Sequence, residues 1–73
     1  MNKVFQEGPW KIVATAVAAD AQPGKWIARC SISKPGFEEA LHDINARFYD
    51  TAEQAMEAAH ICGQLAIAEK TLG

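Results

Sequence analysis

Asp50-Thr51-Ala52-Glu53-Gln54-Ala55-Met56 opens the stretch whose reading decides the fold. Thr51 has the character of a helix N-cap, and Gln54 stands three residues on, the capping-box spacing. Asp50 and Glu53 put negative charge at the helix N-terminus, where the helix dipole favours it. Beyond the cap, Ala55, Met56, Ala59, Cys62, Gly63, Ala66 and Ile67 recur at i, i+3, i+4 and i+7. That period predicts an amphipathic helix over 52–70, with Glu53, Glu57, Gln64 and Glu69 off the apolar stripe. Four of the seven stripe residues are Ala or Gly. A helix with so small a face expects to lie close on its partner layer, with Trp10, Trp26 and Phe48 filling the space around it.

Upstream of Thr51 the period changes from helical to alternating. Residues 10–18 carry Trp10, Ile12, Ala14 and Ala16 on one face and Lys11, Val13, Thr15 and Val17 on the other, in a run rich in β-branched residues. Residues 25–33 alternate most cleanly: Trp26, Ala28, Cys30 and Ile32 against Lys25, Ile27, Arg29, Ser31 and Ser33. Between them Asp20-Ala21-Gln22-Pro23-Gly24 reads as a turn, with Pro23 presetting φ and Gly24 supplying the positive φ of a type II turn. Lys34-Pro35-Gly36 punctuates the chain again, and 34–40 reads as a loop. Phe37, Leu41 and Ile44 fit helical spacing too, but a strand over 42–50 is the preferred reading. It sets His42, Ile44, Ala46 and Phe48 on the apolar side and Leu41, Asp43, Asn45, Arg47 and Tyr49 on the polar side. Gly8-Pro9 breaks the chain early. Val4 and Phe5 before it fit either a short edge strand or a segment folded back on the core.

One apolar sheet face and one apolar helix stripe bury each other. The expected fold is therefore α+β: a three-stranded antiparallel β-meander with one C-terminal helix on one face, a single domain over 1–73. A chain of 73 residues buries only about 60% of its unfolded surface, so such domains lean on disulfides, metals or partner subunits. With only two cysteines, Cys30 and Cys62, a disulfide framework is not expected. Oligomerisation is the support that remains.

The passage Ala46-Arg47-Phe48-Tyr49-Asp50-Thr51-Ala52-Glu53-Gln54-Ala55 resembles the strand-to-helix passage of the partial-RNase-H-like antitoxin domains of the HicB type. The resemblance is confined to that passage, and the Pro-Asp-Leu-like turn after an acidic strand that marks those antitoxins is absent. Trp10 opening one strand and Trp26 inside the next look like small bacterial β-β-β-α domains. Neither resemblance carries a functional residue onto this chain.

Composition narrows the function classes. The hydrophobic fraction is 49%, charged residues are 22%, and the net charge is −2, so no bulk basic surface awaits a phosphate backbone. No signal segment and no apolar run near the length of a membrane span is legible, and the expected location is the cytoplasm. Cys30, His42, His60 and Cys62 have the chemistry of zinc ligands but not the spacing: His60 and Cys62 point about 200° apart on a helix. Ser31 and Ser33 stand in a strand without a nucleophile elbow, and the acidic residues read as solvated. No cofactor, metal or enzymatic activity is expected.

Two readings remain for the polar sheet face. Lys11, Lys25, Arg29 and Arg47, with Tyr49 as a stacking group, suit a nucleic-acid surface. Val13, Val17, Ile27 and Leu41 among those charges suit a protein contact instead. The preferred reading is a small non-enzymatic interaction module, self-associating or binding a protein partner. Its candidate face is Lys11, Val13, Ile27, Arg29, Arg47 and Tyr49, with nucleic-acid binding as the alternative.

Overall fold

A computed structural model describes residues 1–41 and 47–72 of the chain. Its elements are β1 (Asn2–Glu7), β2 (Trp10–Ala18), β3 (Trp26–Lys34), β4 (Phe37–Leu41) and α1 (Ala52–Leu72). The strands form one antiparallel sheet in the order β1-β2-β3-β4. The α+β class, the central strand pair and the C-terminal helix agree with the sequence reading; the sheet has four strands rather than three.

The additional strands come from turn chemistry. Glu7 pairs with Trp10, leaving Gly8-Pro9 as a two-residue hairpin loop with Gly8 at φ 60°. Glycine at the first central position is the requirement of a type II′ turn, whose twist matches that of the flanking strands. What reads as a chain break is thus a hairpin, and Val4 and Phe5 belong to an edge strand. Lys34 likewise pairs with Phe37 around Pro35-Gly36, with Gly36 at φ 83°. The expected loop over 34–40 is therefore mostly a turn and β4. The turn before β3 forms as its residues dictate: the Lys25 N–H donates to the Gln22 carbonyl at 3.1 Å, across Pro23 and Gly24.

The strand expected over 42–50 requires correction. His42, Asp43, Ile44, Asn45 and Ala46 lie outside the described residues. Tyr49 forms a single antiparallel bridge with Trp26, exchanging two backbone hydrogen bonds of 2.8 Å. Continuing the register of β4 would bring position 45 opposite Trp26; Tyr49 stands there instead, four positions later. The faces are also reversed. Tyr49 packs against the core beside Trp26, while Phe48, expected inside, is 41% exposed. A strand's two faces exchange when the phase slips by one residue. Here both phases carry large apolar side chains, so alternation alone does not select one.

Helix α1 covers one sheet face. Ala14, Ala16, Ala28 and Cys30 of the sheet meet Ala52, Ala55, Met56 and Ala59 of the helix; farther along, Trp10, Ile12 and Ile32 meet Ile67. Phe5 borders both clusters. Contact is close at Gly63, where an added Cβ would stand 2.7 Å from Cγ2 of the fully buried Ile12. The helix starts as its cap predicts, with the Gln54 N–H donating to Thr51 Oγ1 at 3.1 Å. Lys25 pairs with Asp50 just ahead of the cap. Lys25 holds the exposed Asp50 carboxyl below the usual carboxylate range.

Gly63→Ala is expected to destabilise the fold, although alanine is the better helix former by about 1 kcal/mol. Overpacking a filled core costs about 1–3 kcal/mol, and Ile12 is β-branched and fully buried. A net loss of up to roughly 2 kcal/mol in urea unfolding is the expected result; a gain would show that the two layers can separate at no cost. Thr51→Ala is expected to lose about 1 kcal/mol through the cap alone, read by the same titration.

Candidate functional site

The sheet has a second face. Because side chains alternate, the pairing register places Asn2, Val4 and Gln6 of β1 on it, with Lys11, Val13, Thr15 and Val17 of β2. Ile27, Arg29, Ser31 and Ser33 of β3 and Glu38 and Ala40 of β4 complete it. None of these residues belongs to either core cluster, and no described helix packs on this side. Four transverse rows run across the strands. Val4, Val13, Ser31 and Ala40 make one; Gln6, Lys11, Ser33 and Glu38 the next. On the other side of the valine row lie Asn2, Thr15 and Arg29, then Val17 and Ile27. Val4 is 61% exposed, while Val13, Val17 and Ile27 are half-buried by their neighbours.

Four residues of the expected face therefore stand together: Lys11, Val13, Ile27 and Arg29. Arg47 and Tyr49 do not join them. They lie on the helix side, the Arg47 guanidinium 5.9 Å from the Tyr49 ring centre. There they line a groove of about 320 Å³ with Ala58, Ile61, Cys62 and Leu65. The reason is the phase of Tyr49, which its bridge to Trp26 ties to the core side. The alternation of 25–33 points Lys25 the same way as Arg29, but it is engaged with Asp50. The residues missed by sequence reasoning are Asn2, Val4, Gln6, Glu38 and Ala40. Recognising Gly8-Pro9 and Pro35-Gly36 as two-residue turns is the signal that would have found them.

Some charges elsewhere have partners. Lys70 pairs with Glu39 at 2.9 Å and lies 5.1 Å over the Phe37 ring, and Lys34 lies 4.7 Å over Trp10. On the open face, Lys11, Arg29 and Glu38 take part in no ion pair among the described residues.

The opposite flank carries a cleft of about 450 Å³, lined by Met1, Lys3, Phe5, Glu53, Met56, Glu57 and His60. His60 stacks on Phe5 with ring centres 3.6 Å apart, and its Nε2 faces Glu7 at 3.6 Å. Glu7 accepts a hydrogen bond from Gln64 at 2.6 Å. The cleft offers a histidine and carboxylates but no Ser, Thr or Cys nucleophile among its lining residues. Among the described residues no group of three His, Cys, Asp or Glu side chains is arranged to hold a metal. No described helix is long and apolar enough to cross a membrane.

Cys30 and Cys62 are both free thiols. Burial, and secondarily the Cys62 thiol beside it, push the Cys30 thiol up to about 11 from an ordinary value of 9.0. A thiol that ionises later in the folded state than in the unfolded state contributes stability that is intact below the unfolded value. That contribution is lost as pH rises from about 9 to about 11. Cys30→Ala is expected to lose less stability than the unsubstituted chain over this window, measured by urea unfolding at stepped pH under reducing conditions; equal slopes would remove Cys30 as the cause.

No protein-family model, curated protein or solved structure matches this chain.

Proposed function

We propose that this chain is a small non-enzymatic interaction module, acting through protein–protein contacts or homodimerisation at its uncovered sheet face. One observation carries the reading. Val4, Val13, Val17 and Ile27 lie on a sheet face that no described element covers, while among the described residues the largest side chains with essentially no exposure are Ile12 and Ile32. A core of that size stabilises a free-standing domain weakly, and association is the usual remedy in short chains. The polar rim around an apolar centre has the anatomy of a protein contact.

The nucleic-acid reading has less support. It keeps Lys11 and Arg29, but Glu38 shares their face, Lys25 is held by Asp50, and Arg47 and Tyr49 lie on the other side of the sheet. A stacking platform needs its aromatic and its cations on one surface.

The test is retention of a protein partner, another copy or a different chain, through purification from the native cell. Val13→Asp and Ile27→Asp each bury a charge at the centre of the contact and are expected to lose that partner with unchanged far-UV circular dichroism. Retention of the same partner by both folded variants overturns the reading. Nucleic acid retained instead, and released by Arg29→Glu and by salt, supports the alternative.

A further inference from the structure

We propose that Cys30 and Cys62 are a redox pair: a peroxide entering the groove beside Arg47 and Tyr49 oxidises Cys62, and Cys30 resolves it, leaving a disulfide that ties α1 to β3.

The packing places the pair. Cys30 lies on the covered side of β3, opposite Ala14 and two residues before Ile32, which pairs with Ile12. Gly63 of α1 sits against Ile12, so the helix comes down on the sheet one strand away from the line of Cys30 and Ile32. Cys62, the residue before Gly63, packs against the core cluster that contains Cys30, and its thiol lies beside the Cys30 thiol. Both are free. A disulfide needs its two Cα atoms within about 7 Å of each other. Sheets packed through ordinary side chains stand about 10 Å apart, too far for such a bond. Here the cluster around the thiols is built largely of Ala14, Ala28, Ala55 and Ala59, and side chains that small bring the two backbones within its span.

Exposure divides the roles. Cys30 is buried. Cys62 is half-buried and lines the groove of about 320 Å³ with Arg47, Tyr49, Ala58, Ile61 and Leu65. Oxidation follows access, so a dissolved peroxide meets Cys62 first. The Cys62 thiolate attacks one peroxide oxygen: the S–O bond forms, the O–O bond breaks, and the departing hydroxide takes a proton to become water. The Cys30 sulfur then attacks the sulfur of the Cys62 sulfenic acid. The S–S bond forms, the S–O bond breaks, and the Cys30 proton leaves with the hydroxide as a second water. The two sulfurs give up two electrons and the two peroxide oxygens receive them. Burial pushes the Cys30 thiol up to about 11, which makes it a slow nucleophile toward reagents in solution. Held against Cys62 it needs no encounter, and proximity offsets the low thiolate fraction.

The test treats the folded, reduced chain with hydrogen peroxide in small excess and follows it by thiol titration and intact mass under non-reducing conditions. Both thiols are expected to disappear together in a single chain lighter by two hydrogens, and dithiothreitol is expected to return them. Cys30→Ala, checked for folding by circular dichroism, is expected to stop at a Cys62 sulfenic acid that dimedone traps. Cys62→Ala is expected to keep its Cys30 thiol under the same treatment. The oxidised chain is expected to unfold at higher urea than the reduced one, because the bond closes a long loop in the unfolded state. Retention of both thiols, over-oxidation of Cys62 beside an intact Cys30, or disulfide-linked dimers in place of the internal bond each overturn the pair. An oxidised chain that unfolds at equal or lower urea carries a bond that the folded geometry does not fit, and overturns it as well.

Discussion

The approach of α1 to the sheet at Gly63 is the constraint on which the molecule depends. A hydrogen side chain is all that the space above Ile12 admits. The surrounding contact is made by Ala14, Ala16 and Ala28 below and Ala52, Ala55 and Ala59 above. Small residues bring two backbones close, and close layers leave little room for large side chains between them. Trp10 is consequently buried at one end, while Phe5, Trp26 and Tyr49 pack at the margins. The core gains tight contact and forgoes volume. Because interior packing is dense, that exchange leaves little slack for added atoms anywhere along the seam.

A single helix covers a single face, and the two faces of this sheet differ in chemistry as a result. The covered face is apolar at its centre and carries Lys3, Glu7, Lys34 and Glu39 toward its margins. The open face mixes Val4, Val13, Val17 and Ile27 with Lys11, Arg29 and Glu38. Several cations are engaged locally: Lys25 by Asp50, Lys70 by Glu39, Lys34 over Trp10 and Arg47 over Tyr49. Exposed pairs of this kind add little stability. The proposed contact would draw on the apolar centre, with Lys11, Arg29 and Glu38 on the same face bearing on which partners it accepts.

Much of the molecule was legible in the residues themselves. The strands 10–18 and 25–33, the type II turn at Pro23-Gly24, the Thr51 cap and the helix stripe all follow from local rules, and the structure repeats them within a residue or two. Local rules suffice there because each signal is redundant: alternation agrees with β-branching, and the cap agrees with the period that follows. The same redundancy assigned Lys11, Val13, Ile27 and Arg29 to one face. The short strands lacked it. β1 is six residues and β4 five, and β4 contains Glu38 and Glu39, which favour strands poorly. Their existence is dictated by Gly8-Pro9 and Pro35-Gly36, whose meaning as hairpins depends on a paired strand on each side.

By itself, then, the sequence determined the class of the fold, its two central strands, the helix and its closeness to the sheet, because those depend on the residue types along one element at a time. Only the tertiary structure decided which side Tyr49 and Phe48 take. Both phases of that segment carry a large apolar residue, and the backbone pairing of Tyr49 with Trp26 selects one of them. That choice moved Arg47 and Tyr49 to the helix side, while the hairpins at Gly8-Pro9 and Pro35-Gly36 brought Val4 and Glu38 onto the open face. Pairing between distant strands is a long-range event, and the composition of an open face is set by every strand that joins it.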